Sequence, residues 1–136
     1  MIHDTKVGII VRSDLLDWQK LNVTAFLATG IAAVAPESIG EPYEDASGNT
    51  YLPLIGQPIV IYEASAEHLL RTNARALSRG VATAVYIEGM FKTFNDIDNR
   101  AVVKSLPADK LDLVGVALRA DRKTFDKIVN GLKLHS

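Results

Sequence analysis

Two hydrophobic periods alternate along the chain: compact apolar runs that read as strands, and longer stretches with apolar positions spaced for helices. Lys6-Val7-Gly8-Ile9-Ile10-Val11-Arg12 is β-branched and apolar on both faces except at its ends. That is the pattern of a central strand covered by helices on both sides. Asp14 stands where the run breaks. From Asp17, polar residues lead into Val23–Ala35, which is apolar all round and has the small residues Ala28, Thr29 and Gly30 in its middle. A buried helix ended by Pro36 is expected.

Ile59–Tyr62 predicts the second strand, and Ser65 can cap a helix with Ala66, Leu69, Leu70, Ala74 and Leu77 on one face and Gly80 at its end. Val81–Ile87 predicts the third strand, followed by Glu88-Gly89 and a short helix over 96–104. Leu111–Leu118 predicts the fourth. Asp121 then caps a last helix with Phe125, Ile128, Val129 and Leu132 inward. Residues 39–57, with Pro42, Pro53 and Asp45-Ala46-Ser47-Gly48-Asn49 between Tyr43 and Tyr51, predict a hairpin at a sheet edge. The whole, residues 1–136, is expected to be one α/β domain. The alternation of strand and helix favours a mostly parallel sheet.

Composition narrows the chemistry. With no cysteine among 136 residues, disulfides, thiolate metal sites and cysteine nucleophiles are excluded. Fifteen Lys and Arg against sixteen Asp and Glu leave a formal charge of -1, so no global field attracts a polyanion, and an RNA contact would need a local patch. Val23–Ala35 falls short of the about 20 apolar residues of a bilayer span. The polar opening Met1–Lys6 does not read as a signal peptide, so a cytoplasmic protein without membrane contact is expected.

The glycine-rich phosphate loops, the Gly-x-Ser-x-Gly elbow and His-Glu-x-x-His are absent as written. No cofactor or metal is implied. His3, His68 and His135 stand apart in sequence and read as solvated, and Asp96 and Asp98 read as acids at a helix start. Arg71, Arg75 and Arg79 recur every four residues as a basic stripe, which reads as a solvated face. More specific is the set where strands end: Arg12-Ser13-Asp14, Glu63-Ala64-Ser65 and Glu88-Gly89. Ligands of open α/β sheets sit outside such ends.

Lys6-Val-Gly-Ile-Ile-Val-Arg12-Ser-Asp14-Leu, followed by Lys20-Leu-Asn22-Val-Thr-Ala-Phe26-Leu-Ala, resembles the opening of peptidyl-tRNA hydrolase II, and Gly131-Leu-Lys-Leu134 resembles its close. The resemblance covers about three quarters of the chain. It implies a three-layer α/β/α sandwich with a mixed sheet of about four strands, the fourth antiparallel to the first, and a homodimer. Aligned on it, Asn22 takes the place of the catalytic lysine, Phe26 of a glutamine and Thr29 of a histidine. Only Glu88 could supply the acid. Trp18-Gln-Lys-Leu-Asn-Val-Thr-Ala-Phe26, Ile39-Gly-Glu-Pro-Tyr43 and Ala117-Leu-Arg-Ala-Asp-Arg-Lys123 are similar, end to end, to a small bacterial family of unknown function that shares this fold.

The expectation is a protein that binds a small or nucleotide-like ligand at the strand-end crevice. Arg12, Asp14, Trp18, Lys20, Asn22, Thr24 and Glu88 would line it. Were it an enzyme, Glu88 would be the base, with Asn22 and Lys20 polarising. A hydrolase related to the resembled family, and a protein or RNA interaction module built on the hairpin and the arginine stripe, are the alternatives.

Overall fold

The computed structural model describes residues 3–136, so Met1 and Ile2 of the polar opening lie outside the described residues. Strand β1 (Thr5–Arg12) is followed by helix α1 (Asp17–Val34), a hairpin of two short strands, β2 (Tyr43–Glu44) and β3 (Thr50–Tyr51), then β4 (Ile59–Ala64), α2 (Ala66–Ser78), β5 (Thr83–Ile87), α3 (Asp96–Lys104), β6 (Leu113–Asp121), α4 (Arg122–Ile128) and β7 (Lys133–Leu134). The main sheet has five strands in the order β5-β6-β1-β4-β7. β1 and β4 are parallel, while β6 runs antiparallel to both β1 and β5, and β7 antiparallel to β4. The sheet is therefore mixed, with the strand after α3 antiparallel to the first as the resemblance implied, and not mostly parallel as the alternation of strand and helix favoured. Its fifth strand comes from Lys133-Leu134, too short a run to register as a strand in the sequence.

Alternation along β1 divides the core. Val7, Ile9 and Val11 meet Val23, Leu27 and Ile31 of α1 on one face. On the other, Ile10 joins Leu69 and Ala76 of α2 and Phe125 and Ile128 of α4. Two strand glycines set the spacing of these layers: a Cβ on Gly115 would fall 2.5 Å from Val23 Cγ1 and 2.9 Å from Leu27 Cδ1, and one on Gly8 would fall 2.5 Å from Phe125 Cζ.

Three expectations change. α1 begins at Asp17 and is not a buried helix: Val23, Leu27 and Ile31 are its buried side chains, and much of its remaining apolar surface is exposed. α2 turns a different stripe inward, Leu69, Thr72, Asn73 and Ala76, while Ala74 and Leu77 face solvent. The polar pair is tolerated because Thr72 Oγ1 donates to the His68 carbonyl and Asn73 Oδ1 accepts from Thr83 Oγ1. The hairpin forms its own two-stranded sheet instead of extending the main one. At its base Ile39 bridges Ile55, Gly40 N donates to Leu54 O and Gly56 N to Ser38 O.

Candidate functional site

β1, β4 and β5 end, and β6 begins, at one rim of the sheet, which collects Arg12, Glu63, Glu88 and Asp112. Arg12 is the hub. Its Nε donates to Asp14 Oδ1 at 2.6 Å, one terminal nitrogen to Glu88 Oε2 at 2.9 Å and the other to Asp112 Oδ1 at 3.4 Å. Its side chain is only 15% exposed. Burial disfavours its charge, but hydrogen bonds and charge from Asp14 and Glu88 outweigh that, and its pKa rises above the ordinary value. A β-bulge lies beside this cluster: Tyr86 pairs with Gly115 but Ile87 with Leu113, leaving Val114 as the extra residue.

Lys20 points elsewhere. Its Nζ donates to Nε2 of His135 at 3.2 Å, while Nδ1 of that ring donates to the Ser136 carbonyl at 2.8 Å; the tautomer follows from these partners. Glu63 Oε2 stands 4.0 Å from His135 Nε2. His135 is thus not isolated, because β7 brings the chain end back onto β4. Thr24 Oγ1 is committed to the Lys20 carbonyl.

Trp18 and Asn22 line a groove of about 870 Å³ along the outer edge of β5, between α1 and the segment from residue 90 to α3. Residues 18, 22 and 26 are one helical turn apart, so Trp18, Asn22 and Phe26 make one wall. Tyr86 forms the floor, its phenol pushed up by burial. Phe91 packs edge-on to Trp18 at 6.0 Å and against Tyr86 at 5.2 Å. Phe94, 98% exposed, Asn95, Asn99, Arg100 and Lys104 complete the far wall. Asn95 caps α3 by accepting from Asp98 N, Asn99 bonds Thr93, and Arg100 pairs with Asp96.

The seven expected site residues therefore fall into three groups. Trp18 and Asn22 belong to the groove, Arg12, Asp14 and Glu88 to the ionic cluster, and Lys20 and Thr24 to the far flank of α1. The turn over 88–92 joins the first two, since Glu88 is held by Arg12 while Met90 and Phe91 face the groove. Asn22, Glu88 and Lys20 do not converge on one pocket. Sequence reasoning missed the far wall, although Phe91 and Phe94 just past a strand end and two asparagines at a helix start were the available signal. It also missed Asp112, which only the antiparallel β6 brings to Arg12.

A second, shallow depression of about 560 Å³ lies between α2 and α4, lined by Arg75, Arg79, Lys123, Asp126, Lys127 and Asn130. Arg75 is tied to the Asn130 carbonyl at 2.9 Å, and Asp126 to Lys6 at 2.6 Å. Among the described residues no three His, Asp or Glu side chains are placed to hold a metal. Among the described residues no helix is long and apolar enough to cross a membrane.

The sequence profile described as "Protein of unknown function (DUF2000)" matches residues 5–136. The chain belongs to the DUF2000 family. A solved structure from Agrobacterium tumefaciens str. C58, the protein of unknown function Atu0240, is 51% identical to this DUF2000 protein. The match covers 99% of this chain and 100% of that one, with a TM-score of 0.97. None of the curated proteins matches.

Proposed function

We propose that this DUF2000 protein binds a small, flat, partly apolar ligand carrying an anionic group, of the chemistry and size of a nucleoside monophosphate, in the groove beside α1. The observation that carries the reading is a groove of about 870 Å³ walled by Trp18, Phe26, Tyr86, Phe91 and Phe94 with amides at its sides. That volume lies within the roughly 300–1,000 Å³ of small-molecule sites. Trp18 and Phe91 offer faces and edges on which a planar ring stacks. The Asn22 amide, both donor and acceptor, suits a heterocycle edge. Lys104 supplies a cation for the anionic end, since Arg100 is shared with Asp96.

Arg12, Asp14 and Glu88 act one step back, by fixing the turn that presents Phe91. Lys20 and Thr24 have no part in the groove on this reading. A cytoplasmic setting is the one in which such a ligand abounds. The hydrolase reading has less to stand on: Asn22 cannot supply the positive charge an ammonium gives an oxyanion, and Thr29 spends its hydroxyl on the Phe26 carbonyl.

Trp18 is the chain's one tryptophan, so its fluorescence reports on the groove directly. Titration with adenosine monophosphate is expected to change the emission saturably, and Phe91→Ala to abolish the response while the protein stays folded. No saturable change in the wild-type protein, or an unaltered response in Phe91→Ala, would contradict the proposal.

A further inference from the structure

Helix α1 carries no charged side chain from Leu21 to its end. Val23, Leu27 and Ile31 face the sheet, while Trp18, Leu21, Ala25 and Thr29, three and four residues apart, form the opposite face and are exposed, Leu21 by 73%. A helix that is apolar on every side is one that is covered on every side. The hairpin poses the same problem. Its strands pair only at Tyr43 with Tyr51 and Glu44 with Thr50, and an isolated two-stranded hairpin is marginal in water. Yet it exposes Tyr43, Tyr51, Leu54 and, by 84%, Leu52. Helix and hairpin belong to one layer, because Ile55 at the hairpin base packs into the cluster that holds Leu27 and Ile31.

We propose that the outer face of α1 and this hairpin arm are two parts of one interface with a second copy of the chain. The two α1 helices cross antiparallel at Ala25, near the helix midpoint, where a small side chain lets two backbones approach. Trp18 lies about 10 Å along the axis from Ala25 at 1.5 Å per residue, and the end of α1 lies about 13 Å the other way. In an antiparallel pair, the arm that follows the end of one helix therefore stands over the first turns of the other, where Trp18 and Leu21 are exposed. A twofold contact of this kind is self-complementary. The exposed half of α1 with residues 39–56 supplies about the 20–30 residues a side of a standard interface.

Charge selects this occupant over an anionic membrane. The centre of the face is uncharged and its rim is of mixed sign, with Asp17, Glu41 and Glu44 acidic and Arg100 and Lys104 basic on the groove side, unlike the uniformly basic rim that draws a helix onto anionic lipid. Trp18 and Thr29 border both this face and the groove, so the interface is tested without ligand and at Leu21, Ala25 and Leu52, which lie outside the groove lining.

Because the chain has no cysteine, Ala25→Cys places a single thiol at the proposed axis. Mild oxidation, or a short bismaleimide, is expected to convert this variant largely to a covalent dimer. Ala74→Cys, on the exposed side of α2 across the sheet, should remain single chains. In sedimentation the wild-type protein should run at twice the chain mass of 14.8 kDa, and Leu21→Glu should shift it to 14.8 kDa with its helical circular dichroism retained. Leu52→Asp, on the arm and outside the core, should weaken the dimer even if Leu21→Glu does not fold. A wild-type species of 14.8 kDa at micromolar concentration, or cross-linking through position 74 and not 25, would overturn the proposal.

Discussion

Arg12 shows how much one residue can organise at a strand end. Three carboxylates from a loop, the end of β5 and the start of β6 meet on its guanidinium, and its truncation would leave them facing one another. Since Asp14, Glu88 and Asp112 are themselves partly solvated, Arg12→Ala should cost about 1–3 kcal/mol, less than a fully buried pair. The same variant should weaken ligand binding in the groove by loosening the turn that holds Phe91. Chemical denaturation alongside the Trp18 titration checks both, and a destabilised variant with unchanged binding would separate the cluster from the groove. That Arg12, Asp14 and Glu88 stand together at strand ends was legible from the α/β pattern, but there they are bonded to one another and do not line the groove. Asp112 was not legible, because its place depends on the direction of β6, which no local pattern encodes.

Helices and strands were the most legible level, since periodicity and caps are local. Ser65 accepts from His68 N, Asn95 from Asp98 N and Asp121 from Thr124 N at the starts of α2, α3 and α4. Where tertiary context decides, the pattern gave less: α2 buries Thr72 and Asn73 because hydrogen bonds satisfy them, and α1 exposes an apolar face because nothing else among the described residues covers it. Gly115 belongs to this level too. Its missing Cβ lets α1 lie close on β6, so Gly115→Ala should overpack Val23 and Leu27 and cost about 1–3 kcal/mol, read from denaturant midpoints. An unchanged midpoint would mean that the layers are looser than this spacing requires.

The arm has its own pH window. Hydrogen bonds from Tyr51 and Asn49 hold the Asp45 carboxyl down at about 2, below its ordinary 3.8, while the same bond from Tyr51 to Asp45 raises the Tyr51 phenol. A depressed acid stabilises the fold above its unfolded value, so the turn should loosen as pH falls from about 4 toward 2. A raised phenol stabilises below its unfolded value of about 10, so the turn should loosen again as pH rises through the folded value. Proton shifts of the Tyr51 ring followed against pH should stay level between these limits. Asp45→Asn should remove the acid limb, and an acid limb that persists in that variant would refute the assignment.

At the scale of the whole molecule, the antiparallel β6 separates two Arg-x-Asp pairs that look alike in sequence. Asp121 pairs with Thr5, at the other end of β1 from Arg12, about 23 Å away at ~3.3 Å per residue. Arg119 there bonds Gln57 and Glu37, far from the groove. The basic depression between α2 and α4 lies on the opposite face of the sheet from α1, so a groove ligand and a polyanion would report on different surfaces. The groove itself was only half visible in the sequence. Its α1 wall is a regular helical spacing, whereas its far wall depends on a turn and a short helix folding back along a free sheet edge.

That separation makes amide chemical-shift mapping with adenosine monophosphate the most direct test. The account predicts saturable shifts at Trp18, Asn22, Phe26, Phe91, Asn95 and Asn99, with Arg75, Arg79, Lys123 and Lys127 unmoved. Shifts confined to those four cations, or none that saturate, would contradict it.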